Sequence, residues 1–340
     1  MRALFVGMGS VGQRHLKNLK NLIGPAAELF ALRSTNHNLI IENGIAHQCD
    51  SLADYWGYEQ VATLEKGLAL KPDIVFVTNP SSMHIDVALA AAKAGCNLFI
   101  EKPLSHNFDG VDELKSILES NDLSAVVGYQ TRFHPCFTFV KSILAEASFG
   151  SLISAGFEWG TFLPDHHPYE DYRLGYAANN DLGGGVTLGL IHEIDLIYSF
   201  LGIPKSVAAI GGSLSSLDMS AEDTVSVLMG FEQNHKLVPV SLHLSYAQVH
   251  EVRGFRMQFN EALLVCNLMS NTVLIYGKNG KILDERRWGE VDQNELFKSQ
   301  MFEFISLAMS KEGSSVSLQN GIDTLAIALR IKESFNGFNG

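Results

Sequence analysis

Gly7-Met8-Gly9-Ser10-Val11-Gly12 follows the short apolar run Ala3–Val6 and opens the segment Val11–Leu22. In that segment Val11, Leu16, Leu19 and Leu22 face inward on one side of a helix. A strand, a G-x-G-x-x-G turn and a helix in direct succession are the opening of a dinucleotide-binding unit. Gly7 permits the tight turn, Gly9 lets a diphosphate approach the backbone, and Gly12 lets helix and strand pack closely. The free N–H groups of Gly7, Gly9, Ser10, Val11 and Gly12, with the helix dipole behind them, favour an anion.

Outward from this turn, short apolar runs alternate with helical patterns, as a parallel sheet requires. Strands are expected at Glu28–Leu32, Asp73–Thr78, Asn97–Ile100 and Ala125–Gly128, with helices at Ile85–Ala94 and Val111–Glu119. Trp56–Leu70 reads only as helix and loop. From about residue 152 strand-like runs follow one another: Ile153–Trp159, Val207–Ile210, Thr224–Phe231, Leu237–Leu244, Gly254–Phe259, Ala262–Cys266 and Val273–Tyr276. Strands in succession make a mostly antiparallel sheet. Helices at Val186–Leu201, Asn294–Met309 and Gly321–Phe335 are expected to cover one face of it. The expected architecture is an α/β domain with a parallel sheet, followed by a second domain of α+β type with a mostly antiparallel sheet.

The chain has 340 residues, enough for two domains at roughly 100–200 residues each. Asp and Glu outnumber Lys and Arg by 37 to 25, and no basic run interrupts the excess, so a nucleic acid is not an expected partner. No apolar run reaches the ~18 residues that span a bilayer, and the N-terminal run meets a glycine turn rather than a cleavage site. Cys49, Cys96, Cys136 and Cys266 are far apart and form no C-x-x-C, which suits free thiols in a reducing compartment. A cytoplasmic protein is expected.

A nicotinamide site usually carries an acid about 20 residues beyond the glycines, for the ribose 2′-hydroxyl. Here the second strand runs into Leu32-Arg33-Ser34-Thr35, a guanidinium and two hydroxyls. Arg33 with Ser34 suits a 2′-phosphate and favours NADP over NAD; the alternative is a solvated Arg33 and use of either cofactor.

Strand Asn97–Ile100 ends in Glu101-Lys102-Pro103, which places Lys102 beyond the carboxyl end of a parallel strand, where ligands bind. Together with the N-terminal glycines, Asn79-Pro80-Ser81-Ser82-Met83-His84 and the later segment Gly183-Gly184-Gly185…His192…Asp195, the chain resembles the Gfo/Idh/MocA family of glucose–fructose oxidoreductase and inositol dehydrogenase over nearly its whole length. The resemblance implies a nicotinamide-dependent dehydrogenase of sugars, cyclitols or their derivatives, a homodimer or homotetramer, and cofactor contacts from Asn79, Pro80, His84 and Glu101. It also implies an α/β Rossmann domain over 1–124 and an α+β domain with an open, mostly antiparallel sheet over 125–340 for substrate binding and oligomerisation.

In the second signature, His192, Asp195 and Ser199 fall on one stripe of the expected helix. A histidine, with an ordinary pKa of about 6.5, suits removal of a hydroxyl proton near neutrality. Lys102 suits stabilisation of the alkoxide-like oxygen. Asp195 either orients His192 or holds the helix. The family's usual acid three or four residues before this histidine is missing, those positions being Gly189 and Leu188. Candidate substrate ligands are Asp165, His167, Tyr172 and Arg173 in the polar loop 162–173, which resembles one in family members of surface-glycan or amino-sugar metabolism. Arg132 reads either as a carboxylate or phosphate ligand or as a domain-joining ion pair. Adjacent His166 and His167 lack spaced companions, so no metal is expected. Two other functions stay open: a non-catalytic nicotinamide-binding sensor, and an enzyme that recycles its cofactor internally, as in an epimerase or elimination.

Overall fold

In the computed structural model, which describes residues 1–34, 37–42, 44–311 and 314–336, the first third of the chain alternates strands and helices. It runs β1 (Arg2–Val6), α1 (Ser10–Ile23), β2 (Glu28–Leu32), β3 (Leu39–Glu42), β4 (Ile45–Gln48), α2 (Leu52–Trp56) and β5 (Glu59–Val61). Then follow α3 (Leu64–Ala69), β6 (Ile74–Val77), α4 (His84–Lys93), β7 (Asn97–Ile100), α5 (Val111–Ser120) and β8 (Ala125–Val127). Six of these strands pair in parallel in the order β5-β2-β1-β6-β7-β8. The order reverses between β1 and β6, so their carboxyl ends open a crevice at the glycine turn. β6 is buried along its whole length because helices cover both faces, which is why it reads as an unbroken apolar run.

Two features of this region were not legible. Val61 is the buried residue of edge strand β5, whose sequence Glu-Gln-Val gives no alternation to read. The β3–β4 hairpin is held from outside, by the Gln13 side chain, which donates to the carbonyls of Met8 and Leu39 and accepts from Ile41 N and the Trp56 indole.

The rest of the chain runs α6 (Pro135–Glu146), β9 (Leu152–Phe162), α7 (Val186–Gly189), α8 (His192–Leu201), β10 (Ser206–Gly212), β11 (Thr224–Gln233) and β12 (Lys236–Ser245). It continues with β13 (Ala247–Phe259), β14 (Leu263–Asn267), β15 (Thr272–Tyr276), β16 (Ile282–Arg287), α9 (Gln293–Ser310) and α10 (Leu318–Asn336). The second sheet is β10-β11-β12-β9-β13-β14-β15-β16, antiparallel throughout except for the β12–β9 pair.

Three expectations change. β8 pairs with β7 as the edge of the first sheet, so a boundary at residue 124 cuts through that sheet, and the structural division falls after Val127. α9 does not cover the second sheet. Its Phe304 packs edge-on against Phe76 and Phe99 of the first sheet, and Gln300 donates to Val127 O, so this late helix fills the first domain's open face. Third, 186–201 is not one helix but α7 and α8, broken at Leu190–Ile191. Continued helix would commit the Gly189 carbonyl to Glu193 N; instead Glu193 N bonds Leu190 O at 3.3 Å, and the Gly189 carbonyl accepts from Lys102 Nζ at 2.8 Å.

Candidate active site

At the glycine turn, Gly7 has φ +107°, and a Cβ there would lie 2.6 Å from the Thr78 backbone. A Cβ on Gly12 would lie 2.2 Å from Gly7 O, whereas one on Gly9 would meet nothing within 4 Å. Two glycines are thus required by the protein's own packing, and the third leaves open space over the N-terminus of α1. That end has no side-chain cap, and Ser10 and Val11 open its first turn. The cradle fits a dinucleotide diphosphate. Gly9→Ala is therefore expected to leave the melting temperature unchanged and weaken NADPH or NADH binding at least tenfold. Gly12→Ala is expected to lose stability as well, by about 1–3 kcal/mol of overpacking. Thermal melts and fluorescence titrations of both variants check this.

Arg33 follows β2 with its guanidinium on His37 O (2.5 Å), Asn38 Oδ1 (3.3 Å) and Gln60 Oε1 (3.5 Å), three neutral acceptors that leave its charge uncompensated. Ser34 beside it is exposed, and Thr35 lies outside the described residues. Asn79 and Pro80 lie just past the carboxyl end of β6, and the buried Asn79 Oδ1 has no partner. His84 does not face the crevice. Its ring nitrogens sit at 2.8 Å from Asn79 O and Pro103 O, so it ties the turn after β6 to the turn after β7, and burial lowers its pKa. Glu101 also turns inward. Its carboxylate meets His15 Nε2 at 2.7 Å and accepts from Lys102 N at 3.1 Å. Burial pushes its pKa upward, but His15 and Lys102 outweigh that and hold it below the usual carboxylate range. The expected cofactor roles of His84 and Glu101 become positioning roles, because each spends its polar atoms on the protein.

Lys102 stands at the carboxyl end of β7 and reaches across to Gly189 O, three residues before His192. His192 begins α8 and is almost wholly buried. Burial, the charge of Lys102 and that of Arg253 hold its pKa well below the ordinary value, so the imidazole is neutral at pH 7. One ring nitrogen, Nε2, lies 3.4 Å from the Gln130 amide; Nδ1 has no protein partner, and neither has Gln130 Oε1. Turning the Gln130 amide over lets Oε1 accept from Nε2–H and leaves Nδ1 as the basic nitrogen.

Asp195 lies on the same stripe as His192 but belongs to another contact. Its two oxygens accept from Arg132 Nε (2.8 Å) and Nη2 (2.6 Å), and Thr324 adds a third bond at 3.2 Å. Both side chains are at most 5% exposed. Asp195 therefore does not orient His192, and Arg132 has no free fork for a substrate anion; of its two readings, the ion pair is the one observed. Glu193, next to the histidine, pairs with Arg253 at 2.7 Å, whose guanidinium lies 3.8 Å over the Trp159 ring.

In the loop after β9, the exposed Asp165 takes no hydrogen bond through its carboxylate, and His167 shares a 3.0 Å contact with the Tyr169 hydroxyl. The Tyr172 hydroxyl accepts from Asp218 N, and Arg173 donates to the Asp171 carboxylate. The inward histidine is His166, bonded to Thr161 Oγ1 at 2.9 Å, its pKa lowered to about 4 by burial, His167 and Lys102. Sequence reasoning missed His15, Gln130 and His166; for His166, position directly after a strand was the available signal. Among the described residues no group of three or more His, Cys, Asp or Glu is placed to hold a metal, and no helix is long and apolar enough to cross a membrane. All four cysteines are free.

Residues 1–129 match the family model for the oxidoreductase family with NAD-binding Rossmann fold, and residues 137–283 match the GFO/IDH/MocA C-terminal domain. The chain belongs to the Gfo/Idh/MocA family. Among its relatives, the oxidoreductase YrbE of Bacillus subtilis is 26% identical over 67% of this chain, an alignment spanning 62% of YrbE, just under two thirds of that relative. The 1,5-anhydro-D-fructose reductase of Ensifer adhaerens is 24% identical over 85% of this chain and 82% of its own. Levoglucosan dehydrogenase, solved in complex with NADH and levoglucosan, superposes with a TM-score of 0.81 over 99% of this chain and 97% of that one, at 16% identity. The relatives with assigned reactions include sugar and cyclitol dehydrogenases and reductases, and also a 2,7-anhydro-N-acetylneuraminate hydratase and a trans-1,2-dihydrobenzene-1,2-diol dehydrogenase. In this member of the family, Gly189 and the buried Leu188 stand where an acid was expected, and neither supplies one.

Proposed function

We propose that the protein is an NAD(P)-dependent oxidoreductase that moves hydride between a nicotinamide cofactor and a hydroxyl-bearing or keto carbon of a sugar or sugar derivative, with NADP preferred. The observation that carries the reading is the 2.8 Å bond from Lys102 Nζ to Gly189 O, which brings an ammonium from one domain to the head of the segment bearing a neutral, buried histidine in the other. Bound nicotinamide supplies the hydride acceptor or donor. Gly9, Ser10, Val11 and Gly12 hold the diphosphate through backbone amides, whereas Gly7, whose N–H donates to Leu32 O at 3.1 Å, shapes the turn instead of binding the anion as expected. Lys102 donates to the reacting oxygen and stabilises its developing negative charge. His192 Nδ1 takes the hydroxyl proton in oxidation and returns it in reduction. Glu101, anchored to His15, fixes the backbone from which Lys102 projects. The loop holding Asp165, His166 and His167 follows β9, and a polyhydroxylated ligand suits its hydrogen-bonding side chains.

The cofactor preference rests on Arg33, whose charge meets only neutral acceptors. Tryptophan fluorescence titrations with NADPH and NADH, and turnover on levoglucosan, myo-inositol and UDP-N-acetylglucosamine, test the whole reading. Arg33→Ala is expected to weaken NADPH about 10- to 100-fold and NADH hardly at all, the size of one charge-assisted phosphate contact. Absence of quenching by either nucleotide overturns the proposal.

The histidine makes the pH dependence specific. Its folded pKa is lowered, so the basic form persists as pH falls, and the acid limb of kcat/KM for oxidation is expected below about pH 6.5. An acid limb above pH 7 removes His192 from the role. For quaternary structure, the alternation in β10, β11 and β12 leaves Ile210, Leu228 and Leu237 exposed on one face of the second sheet, a surface suited to the expected homodimer or homotetramer. A cytoplasmic location accords with three buried free thiols.

A further inference from the structure

The residue that replaces the expected acid is enclosed in an unusual way. A Cβ built on Gly189 would lie 1.7 Å from the Tyr246 hydroxyl oxygen and 2.9 Å from its Cζ, so the phenol occupies the volume a side chain at 189 would take. Tyr246 joins β12 to β13 and is pinned through its backbone: its N donates to Asp223 O at 2.8 Å and its O accepts from Leu163 N at 2.9 Å. The ring is buried and stands edge-on to His166, with centroids 5.7 Å apart. Its hydroxyl makes no hydrogen bond to any described residue.

Gly189 is also the residue that Lys102 reaches, through the carbonyl. Within one residue a Cβ and the carbonyl oxygen lie about 3 Å apart, so the phenol oxygen falls within about 5 Å of the oxygen that holds the ammonium. Two polar heads, one from each domain, therefore converge on Gly189, and one of them has no partner. A hydroxyl without a protein partner is free to donate to a ligand that reaches it. Burial, with Tyr176 and Glu222 nearby, keeps the phenol protonated far past neutrality, so it acts as a donor.

We propose that Tyr246 is a substrate-binding residue whose O–H donates to the reacting oxygen beside Lys102, in the space that the missing carboxylate before His192 leaves. No bond to Tyr246 forms or breaks; the proton moves between substrate and His192 as before, and the phenol holds the oxygen in place while its charge develops. The inference rests on the dehydrogenase reading and adds to it why residue 189 is a glycine.

Tyr246→Phe removes one oxygen and keeps the ring. Expected results for the full-length variant are NADPH quenching equal to wild type, a weakening of about tenfold in the Kd of the panel sugars for the NADPH-loaded chain by calorimetry, and a kcat lowered about 10²-fold. A second measurement needs no sugar. Gly189→Ala lowers the melting temperature in wild type and lowers it clearly less in Tyr246→Phe, because the oxygen that meets the new methyl is gone. Sugar affinity and kcat unchanged in Tyr246→Phe overturn the proposal, as does an equal melting loss in the two backgrounds. If wild type itself fails to quench with NADPH, or binds none of the sugars, the dehydrogenase reading is what fails, and Tyr246 falls with it.

Discussion

Lys102→Ala lowers kcat about 10²- to 10³-fold while NADPH affinity changes by less than about twofold. This is the size of effect seen when one preorganised donor to a developing oxyanion is removed from a water-poor site. The ammonium touches nothing of the glycine turn; its hydrogen bond goes to Gly189 O, on the far side of the crevice from α1. Loss of the side chain therefore acts on the reacting oxygen and spares the diphosphate. A second consequence separates this from a structural defect. Lys102 is one of the two charges that lower the His192 pKa, so in Lys102→Ala the acid limb of kcat/KM moves to higher pH. Steady-state kinetics from pH 5 to 8 with fluorescence titrations of the same variant check both. If kcat survives intact, the ammonium does not meet the reacting oxygen.

Arg132→Met costs about 3–5 kcal/mol of stability, since it leaves the Asp195 carboxylate buried with a single remaining hydroxyl, Thr324. The Arg132 guanidinium also donates to Ser315 O and Asn320, so one side chain ties the segment after β8 to α8 and to the start of α10. The double variant Arg132→Met/Asp195→Leu regains most of the loss, because an apolar pair of similar volume pays no desolvation. Urea midpoints of the two single variants and the double variant decide it. Near-additive losses instead mean that the two residues act on stability separately. This pair also shows how stripe-sharing on a helix misleads: His192 and Asp195 are neighbours on α8, yet one meets Gln130 and the other Arg132.

Local sequence carries far in the first domain. Strand, glycine turn and helix are all within some 20 residues, their physics is short-range, and Gly7, Gly9 and Gly12 sit where the pattern puts them. Strand β6 is apolar throughout and β7 from Leu98 on because both their faces are covered there, which makes them readable one residue at a time. The same logic fails at β5 and β16, exposed edge strands whose polar residues carry no alternation. It also fails at β3 and β4, which depend on the Gln13 amide from a neighbouring helix. The site divides likewise. Lys102 and His192 were singled out on local signals, a strand end and a glycine-led segment. Glu101 and His84, expected at the cofactor, spend their polar atoms on His15 and on two backbone carbonyls, and of the two readings of Arg132 the ion pair, to Asp195, is the one observed. Tyr246 gave no signal at all, since its meaning arises only from Gly189, 57 positions earlier in the chain.

From its own residues the chain determined a parallel sheet with a diphosphate cradle at its head, a lysine beyond one strand end, and a second half of successive strands. These are matters of periodicity, backbone sterics and turn chemistry, which act between near neighbours. Tertiary structure alone decided that α9 closes the first domain instead of the second, that 186–201 breaks at Leu190–Ile191, and which polar side chains remain available at the crevice. Those outcomes depend on which donor reaches a carbonyl or carboxylate first in three dimensions. Lys102 reached Gly189 and Arg132 reached Asp195, while His192 Nδ1 was left without a protein partner.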